Sequence, residues 1–388
     1  MPVFIHDAVR TPRGKARADG ALAQLKPQDL VAGLVDALET RVGDVRARAE
    51  ELTLGCVGQV GAQGGHIALV SKFRAGLPDA TTAHTLNNYC VSGLTAIAQA
   101  ANAIAAGGMQ HALAGGVESM SRVPFMGDKA DFYAEAALPE RARYIPVVVA
   151  ADMLAVDQKI SRAELDAVAL NSHLKGAAAD AAGTQRSRIA VKRDDGAVAL
   201  DRDEGVRPST SAASLAALQP AFAEVANAYR GVIGRASIDH RHTIAHAPPV
   251  SDGAGLAFLG PAGGKPRAKI LAFAEAGGDP RASLTAGFAA MDKALAKAGL
   301  ALKDMDAIEF MEAFAVTIAM FLRDRDADPA RVNMLGGHLA KGHPMGASGA
   351  ILLSTLLDAL ESSKGSLGLV VASGASGVGA AMVVERVN

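Results

Sequence analysis

Apolar residues recur along the first part of the chain with two alternating periods, one typical of strands and the other of helices. Leu94, Ile97, Ala101 and Ile104, for example, fall on one face of a helix. The pattern predicts strands near 2–7, at 52–57, near 81–86 and at 111–117, with helices near 28–40, at 65–75 and at 93–106. Such alternation is typical of mixed, largely parallel sheets covered by helices on both faces.

The last part of the chain repeats this order. Here the pattern predicts strands at 268–274, 306–310, near 331–335, at 367–372 and at 380–386, with helices at 283–298, 315–323 and 347–361. Ser92-Gly93 opens a helix that leads on to HALAGG, and Ser348-Gly349 opens one that leads on to LGLVVAS. We therefore expect an α/β fold built from two pseudo-symmetric halves.

The middle of the chain has a different character. Residues 118–250 lose the alternation and gain charge runs and turn signals, and a further strand follows at 253–259. These features predict an insertion that returns to the first half. We expect an N-terminal half formed by 1–117 and 251–262, an inserted domain at 118–250 and a C-terminal half at 263–388.

Composition limits the class of protein. The 388 residues are 50% apolar and 20% charged with a net charge of -1, which favours a globular protein and gives no support to a nucleic-acid partner. No apolar run is long enough for a membrane span, and the N-terminus lacks the pattern of a signal peptide. Two cysteines cannot form a disulfide framework, so we expect a reducing, cytoplasmic setting.

Cys90 lies in NNYCVSGL, between a predicted strand and a predicted helix N-terminus. Unpaired backbone N–H groups and the helix dipole favour a thiolate there and predict a lowered pKa. The alternative is a small apolar residue that fills a gap, because free cysteines are often simply buried. Cys56, inside LTLGCVG, has only strand neighbours and is expected in the core.

His343 is the strongest candidate for a base that would activate Cys90. It lies in GGHLAKGHPMGASGA, where a glycine-rich loop precedes a helix at the position equivalent to that of Cys90 in the first half. Pseudo-symmetry would bring the two helix starts to a shared seam. The alternative is a loop histidine held by turn chemistry, although the crowded glycines favour a close backbone approach.

Other polar clusters admit two interpretations each. Glu312 in FMEAFAV is placed to order a water or a histidine, or to cap a helix. His240, His242 and His246 have metal-like spacing but no acid or cysteine nearby in sequence, so no metal site is expected. A run of basic residues suits either phosphate binding or a solvated surface, the latter being favoured; it comprises Arg186, Arg188, Lys192 and Arg193.

Two common enzyme signatures are missing from the sequence. It has neither the G-x-x-x-x-G-K-[ST] spacing of a phosphate-binding loop nor a serine in G-x-S-x-G. The motifs that it does have occur in a characteristic order: Cys90, SDGAG at 251–255, EAFA at 312–315, GHPMGASGA at 342–350 and the closing SGASGVGAAMVVER. In this order they resemble the thiolases, from VRTPRG near the start to the last strand. The APPVSDGAG turn and the closing segment are more similar to the fatty-acid-oxidation branch.

The resemblance implies two βαβαβαββ halves in five αβαβα layers, with the insertion as a loop domain over the coenzyme A site. It implies that Cys90 carries the acyl group as a thioester, and that His343 activates Cys90 and contributes to an oxyanion hole. The backbone N–H groups of Cys90 and Ala375 would form a second oxyanion hole. Coenzyme A binding would involve the turn that contains Ala247, Pro248 and Ser251, a turn that departs from the family's usual small polar residues.

Two departures from the family pattern fall on the chemistry. Ser373 stands where thiolases have a second cysteine that acts as acid and base, and a hydroxyl is a far weaker acid than a thiol. Met311 stands before EAFA where the family has Asn or His to order a water, and Met cannot donate a hydrogen bond.

These departures leave three functions open. The first is a working thiolase, which needs another proton carrier such as His338 or His246. The second is an acyl-CoA transferase or hydrolase that forms the Cys90 thioester without carbon–carbon chemistry, and the third is a non-enzymatic acyl-CoA binder. The resemblance also implies a dimer or a tetramer made of dimers, with coenzyme A as substrate or product and no tightly bound cofactor.

Overall fold

The computed structural model describes residues 1–387. Its strands are β1 (Phe4–Arg10), β2 (Gly14–Lys15), β3 (Glu51–Gly55), β4 (Thr82–Leu86), β5 (Ala112–Ser119), β6 (Val191–Lys192), β7 (Val198–Leu200), β8 (Ser251–Gly260), β9 (Ala268–Gly277), β10 (Ala307–Phe310), β11 (Leu367–Gly374) and β12 (Val378–Arg386). Its α-helices are α1 (Pro27–Val42), α2 (Val45–Arg48), α3 (Ile67–Arg74), α4 (Ser92–Ala105), α5 (Val147–Asp157), α6 (Arg162–Ala182), α7 (Ala212–Ala216), α8 (Ala223–Ala228), α9 (Arg230–Ile233), α10 (Ala286–Ala298), α11 (Ala315–Asp324), α12 (His338–Lys341) and α13 (Ser348–Ser363).

The strands of the two halves follow the same spatial order. The first half runs β1-β8-β5-β3-β4 and the second runs β9-β12-β11-β10, within one 10-stranded sheet that also includes β2. In each half a late strand, β8 or β12, lies antiparallel to both of its neighbours, whereas β5, β3 and β4 are parallel and so are β11 and β10. The predicted pseudo-repeat and α/β fold class are therefore confirmed.

The two halves meet where β1 pairs with β9 over Phe4–Lys269 and Ile5–Ala268. Strand β1 extends further than its predicted end, because Asp7 to Arg10 continue the antiparallel register with β8. The apolar pattern did not predict this extension because it contains polar residues. These are buried, and Asp7 and Arg10 form ion pairs.

The strand predicted near 331–335 is wrong as a strand. In the part of the chain that the structure describes, it is reduced to a single parallel bridge between Ile308 and Val332. Asn333 takes a left-handed conformation with φ 47°, and its side-chain amide exchanges hydrogen bonds with the backbone N–H and C=O of Phe310 at 2.8 and 2.9 Å. A side chain thus replaces the backbone pairing that a longer strand would have made.

Helices α4 and α13 pack against each other at their first turns, as the pseudo-repeat predicted. A Cβ placed on Gly93 would lie 2.8 Å from the carbonyl oxygen of Gly346, and one on Gly349 would lie 2.5 Å from the backbone nitrogen of Leu94. Only glycine permits this approach. The loops that precede the two helices, which carry Cys90 and His343, are therefore brought to one seam.

The segment between β5 and β8 carries α5 to α9 and the small β6–β7 hairpin. Its longest helix, α6, begins after Ser161 with a capping box in which Ser161 and Glu164 satisfy each other's backbone N–H groups. The helix ends at Gly183, which has φ 63°. No helix within residues 1–387 is long and apolar enough to cross a membrane.

Candidate active site

Cys90 lies between β4 and α4 in a tight turn held by polar contacts. The backbone N–H of Asn88 donates to Ser92 Oγ at 2.7 Å, and Tyr89 takes a left-handed conformation with φ 48°. The expected lowering of the thiol pKa is wrong. Burial raises the pKa of Cys90 to about 12 and outweighs the backbone N–H groups of Ala375 and Cys90, which act on it in the opposite direction. The thiol is therefore protonated at neutral pH and needs a base.

Ala375 approaches the thiol from the other half of the molecule. It follows β11, and its backbone N–H reaches the Cys90 sulfur together with the N–H of Cys90 itself. These are the two donors that the thiolase resemblance assigns to an oxyanion hole. Their convergence on the sulfur places them where negative charge would develop next to it.

His343 lies in the loop before α13 with its ring held on one side. Its Nδ1 is 2.8 Å from Ser348 Oγ, and its backbone N–H donates to the carbonyl of Pro249 at 2.8 Å. Burial, with a contribution from the Arg13 guanidinium, lowers the pKa of His343 to about 3. The imidazole is neutral at physiological pH, and Nε2 is the nitrogen left to exchange a proton.

Glu118, which the sequence analysis missed, ties the loop after β3 to the loop that follows His343. Its carboxylate accepts hydrogen bonds from the backbone N–H groups of Val57 and Gly58 and, across the seam, from that of Gly346 at 2.9 Å. Cys56 is buried beside it, with Sγ 3.7 Å from Glu118, so its expected place in the core is confirmed. The only sequence signal for Glu118 was an acidic residue directly after the strand predicted at 111–117.

Glu312 supports the loop of His343 indirectly. It accepts hydrogen bonds from Ser172 Oγ at 2.7 Å, from the Asn333 amide at 3.1 Å and from the backbone N–H of Leu339 at 2.8 Å. Since Leu339 lies in the first turn of α12, the carboxylate takes the capping place that was one of its two interpretations. It anchors the short helix immediately before His343.

The two departures from the family pattern are both buried. The Ser373 hydroxyl accepts a hydrogen bond from the backbone N–H of Gly287, in the first turn of α10, at 3.2 Å. Met311 donates its backbone N–H to Val371 at 2.8 Å and its side chain is fully enclosed. The Met311 side chain is thus packed in the core, and the Ser373 hydroxyl caps α10.

The turn expected to bind coenzyme A lies against the loop of His343. Pro249 accepts the His343 N–H, and Val250 forms a β-bridge with His343. Ala247 and Pro248 are half-buried, whereas Ser251 is buried and its hydroxyl has no hydrogen-bond partner among the described residues. The turn is therefore close to the histidine.

A buried set of charges lies behind His343, and the sequence analysis missed it as a set. Arg10 and Asp203 form a bidentate ion pair at 2.8 and 2.9 Å. Arg13 donates to the Gly342 carbonyl at 3.2 Å, and Lys341 donates to the Gln185 side chain at 2.9 Å. Burial raises the pKa of Glu309 and lowers that of Lys341. We call Arg10, Arg13, Asp203, Glu309 and Lys341 the ionic cluster.

His338 lies between this cluster and His343. Its ring centroid is 5.1 Å from that of His343, it is fully buried, and neither ring nitrogen has a hydrogen-bond partner among the described residues. Burial and Arg13 lower its pKa well below the ordinary value. His246, the other candidate proton carrier, is instead held 2.7 Å from Asp166.

The histidine cluster has acid partners that the sequence analysis did not find. Asp152, distant in sequence, contacts the rings of both His240 and His242. Within residues 1–387 no three His, Cys, Asp or Glu side chains are arranged to hold a metal ion. In the basic run, Arg186 pairs with Glu361 and Arg188 with Asp180, while Lys192 and Arg193 are exposed.

Comparison with known proteins adds independent information. Residues 3–260 match the family model described as "Thiolase, N-terminal domain", and residues 264–386 match "Thiolase, C-terminal domain". The chain is 38% identical to a beta-ketoadipyl-CoA thiolase of Pseudomonas knackmussii over 99% of both chains, and 34% identical to a 3-ketoacyl-CoA thiolase of Bacillus subtilis over 98% of both. It is 35% identical to a 3-oxoadipyl-CoA/3-oxo-5,6-dehydrosuberyl-CoA thiolase of Escherichia coli over 99% of both.

Proposed function

The chain belongs to the thiolase family, and on that premise we propose that it cleaves 3-ketoacyl-CoA through an acyl thioester on Cys90, or runs the reverse condensation. The chain is thus an acyltransferase that acts on acyl-CoA, like the other enzymes of the family. The observation that supports the residue assignment is the meeting of the Cys90 and His343 loops at the glycine seam.

The proposed mechanism starts with the Cys90 thiol and the His343 imidazole both neutral. His343 takes the proton of the Cys90 thiol as the sulfur bonds to C3 of the substrate, and the C2–C3 bond then breaks with its electron pair on C2. Protonation of C2 releases acetyl-CoA. The thiol of a second coenzyme A then gives its proton to His343 as its sulfur attacks the Cys90 thioester. His343 passes that proton to the Cys90 sulfur as the shortened acyl-CoA leaves, which restores the thiol.

The proton for C2 needs a carrier other than Ser373, whose hydroxyl faces α10. We assign it to His343, which has just accepted a proton, with His338 as the neighbouring second carrier. His338 is favoured over His246 because its ring nitrogens are unpartnered among the described residues and its ring contacts His343. The turn at Ala247, Pro248 and Ser251 is proposed to hold coenzyme A next to this pair.

A second candidate function is favoured by Ser373 and Met311. If these substitutions remove carbon–carbon chemistry, the protein is an acyl-CoA transferase or hydrolase that only exchanges thioesters at Cys90. Both functions share the acyl-enzyme and differ in whether acetyl-CoA is released.

Intact mass after brief mixing with acetoacetyl-CoA separates the candidates. An acetyl group on Cys90 together with released acetyl-CoA supports thiolysis, whereas an acetoacetyl group indicates thioester exchange alone. Cys56→Ala should keep the adduct and Cys90→Ala should lose it. If the wild-type protein forms neither adduct nor acetyl-CoA with this substrate and with a longer 3-ketoacyl-CoA, both functions are refuted and an acyl-CoA binder is left.

We further propose that the protein acts in the cytoplasm as a dimer or a tetramer of dimers. Strand β4 ends the sheet order, and the nearby Val70 and Phe73 are exposed, Phe73 by 62%. An open strand edge beside apolar side chains is a surface that favours association. Light scattering of the purified protein gives the mass, and a monomer would contradict the proposal.

A further inference from the structure

A narrow cleft opens next to Cys90 and is walled by residues of the inserted segment. Its lining includes Tyr89 and Ala375, next to Cys90, and Asp128, Tyr133 and Tyr144 from the inserted segment. Tyr89 is the residue before Cys90, and the backbone N–H of Ala375 reaches the Cys90 sulfur. We call this space the acyl cleft, because it adjoins the position that a group attached to Cys90 would take.

Aromatic side chains and methionines form much of the wall of the acyl cleft. The rings of Tyr133 and Tyr144 meet edge to face with centroids 5.0 Å apart, and Tyr229 packs behind Tyr144. The remaining cavity is about 20 Å³, close to the space of one water molecule. The methionines that contribute to the wall are Met120, Met126 and Met345, and these can shift to admit a chain. A chain that enters must leave its hydration water behind.

The charges that line the acyl cleft are negative. Among the described residues that line it there is no Lys, Arg or His, and the two ionisable carboxyls are Glu118 and Asp128. Glu118 is already used by backbone N–H groups, and Asp128 accepts from the Tyr133 hydroxyl at 3.1 Å. Lys129 follows in sequence, but its side chain is exposed outside the cleft.

We infer that the acyl group received by Cys90 is uncharged, and that 3-ketoacyl-CoA substrates whose chain ends in a carboxylate are rejected. The inference rests on the proposed function, since it concerns the chain that Cys90 would carry. A terminal carboxylate would enter a narrow cleft without a cationic partner and beside Asp128, which is costly both in desolvation and in repulsion. A methyl terminus meets aromatic rings and thioethers instead.

Two substrates of equal length test the charge alone. In 3-oxohexanoyl-CoA the chain ends in a methyl group, and in 3-oxoadipyl-CoA it ends in a carboxylate. We expect kcat/KM for acetyl-CoA release to be at least about 100-fold higher with 3-oxohexanoyl-CoA, as an unpaired buried charge implies. Equal values for the two substrates, or a preference for 3-oxoadipyl-CoA, would overturn the inference while leaving the proposed function intact.

Two acidic positions provide a matched pair of variants. Asp128→Asn should lower the ratio of the two kcat/KM values by about tenfold, because it removes the repulsion but keeps an oxygen for Tyr133. Asp131→Asn, at an exposed carboxylate nearby that does not line the acyl cleft, should leave the ratio unchanged. A ratio that moves equally in both variants, or in neither, counts against the role of the cleft.

The readout also separates this inference from the proposed function. The mass of the protein is measured after mixing with each substrate, so that acylation is detected even without carbon–carbon cleavage. If neither substrate acylates Cys90 or releases acetyl-CoA, the proposed function is refuted and this inference with it. If 3-oxoadipyl-CoA acylates Cys90 as fast as 3-oxohexanoyl-CoA, the specificity inference alone is refuted.

Discussion

The loops before α4 and α13 are equivalent in the pseudo-repeat but have opposite surroundings. The Cys90 loop faces an aromatic cleft whose lining, in the described part of the chain, contains no cation. The His343 loop lies against the ionic cluster, in which Arg10 and Asp203 are buried and the charge of Arg13 helps to lower the pKa of His343. Equivalent positions in the two halves therefore lie in different electrostatic environments.

The comparison shows that burial, more than position in the fold, sets the protonation states. Both loops lead into a helix N-terminus, where the dipole favours negative charge, yet the pKa of Cys90 rises because its sulfur is removed from water. On the other side, burial and Arg13 lower the pKa of His343. The result is a neutral thiol in one loop and a neutral imidazole in the other.

The largest expected effect comes from removing the base. His343→Asn should slow the release of acetyl-CoA by about 10²–10⁴-fold, since no other group that we assign takes the thiol proton. The acyl adduct on Cys90 should form more slowly by a similar factor in rapid-mixing mass measurements. His84→Asn, at an exposed histidine, serves as the control. Activity retained in His343→Asn would show that the two loops do not act as a pair.

Breaking the ionic cluster should affect stability more than any change in the acyl cleft. Asp203→Asn leaves Arg10 buried without its partner and should reduce the free energy of unfolding by about 3–5 kcal/mol. Urea unfolding at neutral pH measures it, with Asp19→Asn at an exposed ion pair as the control. A loss below about 1 kcal/mol would mean that the cluster is not a stabilising element.

The pH dependence of the Asp203 effect has a definite sign. Burial alone would raise the pKa of Asp203, but the charge of Arg10 outweighs it and the pKa is lowered. The stabilisation is therefore present above the ordinary pKa of about 3.9 and is lost as the pH falls toward the lower folded value. The difference between wild type and Asp203→Asn should shrink in acid.

The smallest effect is expected at the family's missing cysteine. Ser373→Ala removes the acceptor for the Gly287 N–H and should cost about 1 kcal/mol of stability. Acetyl-CoA release should stay within a few-fold of wild type, because the hydroxyl caps α10. Thermal unfolding and steady-state rates measure the two effects. A loss of activity above about 100-fold would make Ser373 the proton carrier in place of His338.

The candidate site could be proposed from the sequence because Cys90 and His343 lie at marked positions. Cys90 follows a predicted strand, His343 lies in a glycine-rich loop, and each precedes a predicted helix. The order of the thiolase motifs along the chain then suggested that the two residues act together. The inserted domain at 118–250 was inferred from the loss of alternation and stays a prediction. The thiolase family and the α/β fold were both confirmed.

The missed features are those that depend on contacts between distant segments. Asp152 lies far from the histidines that it contacts, and Asn333 replaces a strand by side-chain hydrogen bonds. Glu118 and the members of the ionic cluster come from separate elements and carry no local signal. The aromatic wall of the acyl cleft likewise comes from tyrosines spread over the chain.

The sequence by itself determined most of the strands and helices of the two halves, the pseudo-repeat and the places of Cys90 and His343 just before equivalent helices. Each of these depends on local periodicity or on a short motif, which neighbouring residues encode. Only the tertiary structure decided the raised pKa of Cys90, the capping role of Ser373 and the charge of the acyl cleft. Desolvation and Coulomb interactions depend on which groups surround a site in space, and those groups come from parts of the chain that the local pattern does not connect.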